Sequence, residues 1–326
     1  MEDIGIQPNE VSSTGHAAFS EGAGLVEFPR TNLLRLTGKD PVGMLGAVLT
    51  NEIPRGGNGL GVYAALLSPK GRVQADLRVI GDPTGEGVFI VAGPEGADAA
   101  RQILGRYAPF SRVKVEDLTS GDEAWRVLGL YGPRAKQFLG NPDLAEHETA
   151  RTEIGGAPVL VTGVAAPVFG YDVICPSSTL DAVRGDLLEA GAVSAGQDDY
   201  ETARIWAGIP RFGVDITPDN FPGESESFLQ RTVSFEKGCY PGQETVARMR
   251  YRGSPNKKLY RFKLGAGSPA AGNEIYQGED TVGWLTSVTP LSTDGKTFAL
   301  GYLVRKAYPR APMKAKDANI LAVKSA

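Results

Sequence analysis

The sequence predicts an α+β protein of several domains that ends in a small β-barrel. The chain has 326 residues, which is more than one hydrophobic core accommodates, so it should divide into two or three packed units. Strand-like and helix-like segments alternate from Gly24 onward, without a glycine-rich phosphate loop. After residue 253 the pattern changes to short strands separated by Gly, Pro and Asp-Gly turns, which is typical of a small barrel.

The same patterns predict three regions. Residues 1–22 are polar and rich in glycine and serine, and they predict a flexible tail that includes His16. Residues 23–252 predict a mixed α+β region of two intertwined subdomains. Residues 253–326 predict the β-barrel.

Local signals place the first elements. Asp40 and Pro41 predict a helix start, because an aspartate N-cap and a first-turn proline both suit a helix N-terminus. The segment Ser68-Pro69-Lys70-Gly71 lies between two β runs, Val62–Leu67 and Val73–Ile80, and predicts a hairpin turn.

Further elements follow from periodicity and from turn residues. Helical patterns occur at 97–107, 133–139 and 180–190, and at 198–207, where Asp198 and Glu201 have capping-box spacing. Strand patterns occur at 88–91, 113–115, 125–130, 159–162 and 171–175, and in the barrel at 259–264, 274–276, 281–288, 298–304 and 319–323.

The composition excludes several classes of protein. The chain has no apolar stretch of roughly 20 residues and no basic and apolar leader, so it should be neither membrane-spanning nor exported. Its two cysteines, Cys175 and Cys239, lie far apart, which favours a reduced, cytoplasmic setting; a disulfide between them is the alternative. The net charge of −4 makes direct nucleic-acid binding an unfavoured function.

The segment around Cys239 is the main candidate for chemistry. Gly238 and Gly242 bracket the cysteine and suit a sharp turn, so its thiol should be accessible. Lys237, with the arginines at 248, 250 and 252, would favour a thiolate if they fold near the sulfur. A nucleophile, a redox thiol and a metal ligand all stay open, and a small buried core residue is the structural alternative.

A metal site formed by this chain alone is not predicted. Two cysteines and two histidines show no ligand spacing, although a cluster shared with a partner through Cys239 is an alternative. Between Lys237 and Lys263 there are eight basic residues and one acid, Glu244. This basic run suits an anionic ligand such as a glutamate tail; a solvated surface and an RNA contact are the alternatives.

Four segments together resemble a known family. Lys237-Gly238-Cys239-Tyr240-x-Gly242-Gln243-Glu244, followed by Val246-Ala247-Arg248, resembles the signature of the YgfZ family, relatives of the glycine-cleavage T-protein (aminomethyltransferase). The other three segments are 66–72 with Asp76, 209–215 with Pro222 and Glu224, and 283–287 with 299–302. The resemblance covers all but about the first twenty residues.

The resemblance implies a fold, a cofactor and a cellular role. The fold would be a T-protein-like ring of two α/β units with a small C-terminal barrel. The cofactor would be tetrahydrofolate or a one-carbon derivative. The protein would support assembly or repair of iron–sulfur clusters, with cluster enzymes or assembly proteins as partners, and would indirectly support tRNA methylthiolation.

The resemblance also implies roles for individual residues. Cys239 would be the reactive thiol, supported by Lys237 and Glu244. The cofactor would be bound by Glu224, Asp76, Gln243, Arg248 and Asp215. A carboxylate such as Glu224 can accept two adjacent N–H groups of a pterin, whereas its structural alternative is a solvated loop acid.

One departure from the T-protein pattern bears on activity. The T-protein has adjacent acids on the strand after the glycine turn, whereas here Ala75 precedes Asp76. A folate-dependent one-carbon transferase or demethylase is therefore the second hypothesis, with Asp76 orienting an amine or a folate nitrogen. The third is an interaction protein with a reactive cysteine and no folate site.

Overall fold

The computed structural model describes residues 14–326 except 56–58, 122–123, 141, 292–296, 308 and 310. In these residues the chain forms two open sheets, a closed barrel and seven α-helices. The helices are α1 (Thr14–Glu21), α2 (Pro41–Val48), α3 (Pro94–Ser111), α4 (Leu180–Glu189), α5 (Gln197–Ala207), α6 (Glu226–Thr232) and α7 (Gln243–Arg252).

The strands confirm the predicted mixed class and its C-terminal barrel. The first eleven belong to the open sheets: β1 (Gly24–Phe28), β2 (Asn32–Gly38), β3 (Gly61–Leu67), β4 (Val73–Gly81), β5 (Val88–Ala92), β6 (Val113–Asp117), β7 (Trp125–Tyr131), β8 (Thr149–Ile154), β9 (Ala157–Val164), β10 (Gly170–Pro176) and β11 (Val193–Ser194). The barrel contains β12 (Lys257–Leu264), β13 (Glu274–Gln277), β14 (Asp280–Val288), β15 (Thr297–Val304), β16 (Lys314–Ala315) and β17 (Ala318–Ser325).

The first sheet has the strand order β3-β4-β5-β2-β6. Its β3–β4 pair is the predicted hairpin, in which the Gly71 N–H donates to Ser68 O at 2.8 Å. Gly71 has a φ of 82°, a conformation that residues with a side chain rarely adopt. Helix α2 begins as predicted, since the Asp40 carboxylate accepts from the Gly43 N–H at 2.8 Å.

The second sheet has the order β11-β1-β7-β10-β9-β8. The chain therefore contributes β1 to this sheet, builds the whole first sheet with β2–β6, and returns for β7–β11. Apolar residues on facing sides of the two sheets pack together: Leu33, Ile80, Phe89, Val91, Leu118, Val127, Leu160 and Ile174. Burial of this shared surface holds the two sheets against each other.

The N-terminal helix α1 occupies part of the predicted tail. Residues 1–13 lie outside the described residues, but Thr14–Glu21 is helical. His16 is buried and stacks on Trp206 of α5, with 5.3 Å between ring centroids, and Phe19 contacts the edge of Tyr131. The structure thus differs from the predicted tail in this segment, because so short a helix has too few apolar residues to show a period.

A buried polar cluster joins the barrel to the rest of the chain. The Asp215 carboxylate accepts from Arg204 of α5 at 2.6 Å and from Ser287 of β14 at 2.7 Å. Thr286 also donates to it, and the Tyr302 hydroxyl donates to Asp215 O at 2.9 Å. With a further bond from the Arg211 N–H at 3.0 Å, each oxygen of this carboxylate accepts two hydrogen bonds within the protein, which fits a structural link between domains.

Several helical features differ from the sequence predictions. The segment predicted as a helix at 133–139 forms a 3-10 helix at Ala135–Leu139, and α6 was not predicted. Helix α5 starts at Gln197 with Gly196 as its N-cap, and the Asp199 carboxylate accepts from the Gly196 N–H at 2.7 Å; the predicted pairing of Asp198 with Glu201 is wrong. Helix α7 turns the basic run into a regular element that the sequence analysis did not predict. Gly242, with a φ of 84°, supplies the left-handed residue before its first turn.

Candidate functional site

A cavity of about 520 Å³ lies where the two sheets meet α5 and α6. Its apolar and aromatic lining includes Phe28, Tyr63, Tyr131, Tyr200 and Phe212. Its charged lining consists of Arg30, Asp76, Arg78, Glu95, Asp172, Glu201, Arg204, Arg211 and Arg231. A cavity of this size with aromatic surfaces and a few placed polar groups is typical of a small-molecule site.

Strand β4 delivers polar side chains to the cavity by simple alternation. Successive side chains of a strand point to opposite faces, so Asp76 and Arg78 share the cavity face while Ala75, Leu77 and Val79 enter the first sheet's core. Asp76 accepts a hydrogen bond from the Tyr63 hydroxyl of β3. Burial raises the pKa of the Asp76 carboxyl above its usual value and raises that of the Tyr63 phenol well above its own.

A second acid of the cavity is neutralised within the protein. Asp172 of β10 forms a salt bridge with Arg78 of β4 and accepts from the Tyr131 hydroxyl at 2.5 Å. Its carboxylate is therefore committed to the contact between the two sheets.

Arg231 and His147 both pack against the Tyr63 ring. The Arg231 guanidinium carbon is 5.0 Å from the Tyr63 ring centroid, and the His147 ring stacks on Tyr63 at 6.4 Å. Arg231 also donates to Glu146 at 3.1 Å. Burial, with Arg78 and Arg231 acting in the same direction, lowers the pKa of His147 to about 3.

Aromatic rings form the opposite wall of the cavity. Phe28 meets the face of Tyr200 edge-on, with 4.9 Å between centroids, and Tyr131 stacks on Tyr200 at 5.6 Å. Such surfaces suit a flat, partly apolar ring system.

The turn that carries Cys239 lies elsewhere, against the turn of the β3–β4 hairpin. Cys239 is exposed, whereas Tyr240 beside it is buried. A Cβ atom added at Gly242 would lie 2.7 Å from both Gly71 Cα and Ser68 O, so the two turns touch through their glycine backbones. The two most distinctive sequence motifs of the chain are thus in direct contact.

Lys237 is used inside the protein. Its ammonium group donates to Gly46 O at 2.7 Å and to Leu49 O, at the C-terminal end of α2, and lies 5.2 Å from the centroid of the Tyr240 ring. Burial lowers the pKa of this lysine. The structure therefore places its charge on helix carbonyls, where a cation is favourable.

The other predicted residues of this segment belong to α7. Gln243 is half-buried in its first turn, while Glu244 and Arg248 are exposed. Arg250 is also exposed, with its guanidinium carbon 3.9 Å from the centroid of the Phe235 ring. This helix presents a largely basic surface close to Cys239 in sequence.

Glu224 occupies a separate buried position beside the barrel. Its carboxylate accepts from Asn220 at 2.6 Å and lies 3.8 Å from the Lys257 ammonium. Burial raises its pKa, although Asn220 and Lys257 oppose that effect. Glu224 is thus a partnered, buried acid rather than a solvated loop residue.

The predicted site residues are therefore divided among four places. Of those predictions, only Asp76 lines the large cavity within the described part of the chain. Cys239 with the α7 residues, Glu224, and Asp215 lie outside its lining. Sequence reasoning missed the other cavity residues, among them Tyr63, Arg78, Asp172 and Arg231. The alternation of Gln74, Asp76 and Arg78 with apolar residues was a signal that could have identified Arg78.

The described residues contain neither a metal-binding group of side chains nor a membrane-spanning helix. No group of three or more His, Cys, Asp or Glu side chains there is arranged to hold a metal ion. No helix in that part of the chain has the length and apolar character needed to cross a membrane.

Comparison with protein families gives a match over most of the chain. The family model described as the GCVT N-terminal domain matches residues 7–237. Its match ends before Cys239, so the cysteine turn lies outside the matched segment.

Individual relatives extend the similarity. An aminomethyltransferase from Rubrobacter xylanophilus is 29% identical over 299 residues, covering 88% of this chain and 78% of the relative. A protein named tRNA-modifying protein YgfZ from Yersinia pestis is 28% identical over 260 residues, covering 77% and 74%. The crystal structure of the glycine cleavage system aminomethyltransferase T from Bartonella henselae superposes with a TM-score of 0.77 at 22% identity, covering 94% of this chain and 86% of that one.

Proposed function

This chain belongs to the YgfZ-like and aminomethyltransferase-like family of the GCVT N-terminal domain, and on that premise we propose that it binds tetrahydrofolate and assists iron–sulfur proteins. Its role would be in the assembly or repair of iron–sulfur clusters, with cluster enzymes or assembly proteins as partners. Through those enzymes it would indirectly support tRNA methylthiolation. The observation that carries the proposal is the cavity around Asp76, combined with an exposed cysteine outside it.

The cavity residues suit a reduced folate. The volume of about 520 Å³ falls within the range of roughly 300–1,000 Å³ that small-molecule sites occupy. The pterin ring offers adjacent N–H donors to a carboxylate such as Asp76, and Phe28 and Tyr200 offer aromatic surfaces for its faces. Arg30 is an exposed cation on the cavity lining for the anionic tail.

When bound, tetrahydrofolate would carry or accept one-carbon groups. The protein's own part would be to orient the pterin through Asp76 and to exclude water with the aromatic wall. Glu224 and Asp215, together with Gln243 and Arg248, do not line this cavity. Cofactor contacts from Glu224, Gln243 and Arg248 would therefore require the ligand to reach beyond it. The Asp215 carboxylate is fully used within the protein, so we rank Asp76 first.

The proposed thiol chemistry belongs to the outer turn. Cys239 is exposed and faces solvent beside the basic helix α7, so a partner protein can reach it without entering the cavity. Glu244 and Arg248 are exposed on the same helix and would contact that partner. Lys237 would support the thiol by fixing the turn on α2 rather than by placing its charge at the sulfur.

Calorimetric titration with tetrahydrofolate tests the cofactor proposal. We expect wild type to bind and Asp76→Asn to bind roughly tenfold to hundredfold more weakly, because a charged acceptor in a buried contact is lost. In the same experiment, Glu224→Gln tests whether this acid outside the cavity also contacts the cofactor. Asp280→Asn, in an exposed pair with Lys306 at 3.8 Å, is the matched control and should bind as wild type does.

Failure of wild type to bind any form of tetrahydrofolate would remove the proposal. Equal binding by wild type and Asp76→Asn would remove Asp76 from the site while leaving folate binding in place.

A folate-dependent one-carbon transferase or demethylase is the alternative function. The part-buried hydrogen bond between Tyr63 and Asp76 favours it, since an acid with a raised pKa can accept or donate a proton. Turnover of a methylated amine with tetrahydrofolate, abolished in Asp76→Asn, would support this alternative. Binding without turnover would favour the accessory role.

A further inference from the structure

Asp76 differs from two other acids of the cavity, Asp172 and Glu201, in the kind of group that it is paired with. Asp172 is paired with an arginine, Arg78, and Glu201 with Arg204 at 2.8 Å. In the described residues, Asp76 takes part in no salt bridge within 4.0 Å, and its hydrogen-bond donor is the Tyr63 hydroxyl. A neutral donor holds a carboxylate oxygen without cancelling its charge, so the acid keeps its capacity to attract a ligand donor.

The Tyr63 ring is itself fixed from several sides. Arg231 and His147 contact its faces, and Phe228 of α6 meets it at an angle of 81° with 6.4 Å between centroids. Arg231 is in turn anchored by Glu146. The phenol therefore has little freedom to turn away from Asp76, as a supporting residue requires.

We propose that Tyr63 is a positioning residue of the cavity: it holds one oxygen of Asp76 so that the carboxylate can accept an N–H group of the bound ligand. The inference rests on the proposed folate site and adds a residue that no part of the sequence analysis selected. Tyr63 acts through Asp76, since its hydroxyl is already donated to that carboxylate.

The groups that face Asp76 act on its charge in opposite directions. Burial and Glu95 of α3 raise the pKa of Asp76, whereas the Tyr63 hydroxyl and Arg231 lower it. Arg78 lies on the same strand face, paired with Asp172, and the neutral His147 lies behind Tyr63. Removing the hydroxyl should therefore make the carboxylate protonate at a higher pH, and ligand affinity should then be lost earlier as the pH falls.

The experiment measures tetrahydrofolate affinity by calorimetry under anaerobic conditions between about pH 4.5 and 8, in wild type and Tyr63→Phe. Phenylalanine keeps the ring that packs against Arg231 and His147. We expect the pH at which affinity falls to half its maximum to rise by about one unit in Tyr63→Phe, the size of one charged hydrogen bond. Glu95→Gln should move the same midpoint downward.

An unchanged or lower midpoint in Tyr63→Phe would overturn the inference. If wild type does not bind tetrahydrofolate, the folate proposal fails. A carbon-13 titration of the Asp76 carboxyl in ligand-free protein still tests the role of Tyr63. There too the midpoint must rise in Tyr63→Phe. If Tyr63→Phe does not fold, the exchange of the Tyr63 hydroxyl proton with solvent gives a second test. A slowly exchanging proton in wild type that is lost in Asp76→Ala supports the inference. Absence of a slowly exchanging proton in wild type overturns it.

Discussion

At the scale of single residues, the two candidate chemistries of this chain depend on opposite environments. Asp76 is half-buried beside a phenol, where loss of solvent raises its pKa, whereas Cys239 is exposed on an outer turn. Cys175, the other cysteine, is fully buried, and burial raises its pKa to about 11. A thiol reagent should therefore modify Cys239 selectively.

A half-buried histidine, His147, should make the protein less stable in mild acid. His147 has its pKa lowered from 6.5 to about 3, mainly by burial. Between these two values the unfolded state binds a proton that the folded state does not, so the free energy of unfolding falls as pH falls. The loss should be roughly 1.6 kcal/mol between pH 6.5 and pH 5, measured by urea denaturation at several pH values.

The variant His147→Asn should flatten this pH dependence. Asparagine suits the position because the residue has a φ of 66°. His16, whose pKa burial also lowers, should account for the remaining slope. A slope unchanged from wild type in His147→Asn would contradict the assignment.

How far the sequence predicts single residues depends on whether their environment is local. The flanking glycines correctly indicated that Cys239 is accessible, since that information lies within a few residues. The partners of Lys237, Gly46 and Leu49, are remote in sequence, so no local pattern could reveal them. The same holds for Arg231, which reaches Tyr63 from another element.

At the scale of elements, the contact between two turns fixes the cysteine segment. Gly242 precedes α7 in a left-handed conformation and touches Gly71 of the hairpin turn, while Thr245 contacts Gly71 from the first turn of α7. Both glycines are needed because a side chain on either would collide with the other turn.

A pair of alanine variants tests this contact. Gly242→Ala should destabilise the protein by about 2 kcal/mol, since the new Cβ meets backbone and the left-handed φ becomes strained. Gly238→Ala is the matched control, because a Cβ there would meet nothing within 4 Å. Thermal denaturation gives the stability, and the alkylation rate of Cys239 reports the turn. Equal stability of the two variants would show that the turns do not depend on this contact.

The sequence predicted most elements correctly where capping residues, turns or periodicity were strong. The hairpin and α2 are examples, because Ser68-Pro69-Lys70-Gly71 and Asp40-Pro41 act locally. Helix α7 was missed, since its polar composition gives no apolar face and its buried residue Val246 stands almost alone. The short strand β16 was missed because two residues carry no pattern.

At the scale of the whole molecule, the chain alternates between its two sheets and builds the cavity where they meet. Phe28, Asp76, Asp172, Tyr200 and Arg231 come from five separate elements. The sequence resemblance indicated the family and the barrel, but side-chain convergence of this kind is a property of the tertiary fold. The sequence likewise did not predict that the cavity and the cysteine turn are separate, because the motifs of both were assigned to a single site.

The central claim is that folate binding and thiol chemistry occupy separate sites on one protein. Cys239→Ala tests it most directly when tetrahydrofolate affinity and the activities of cluster enzymes in a deletion strain are measured on the same variant. We predict a dissociation constant within about twofold of wild type, together with failure to restore the enzyme activities. Full restoration by Cys239→Ala, or loss of its folate binding, would contradict the claim.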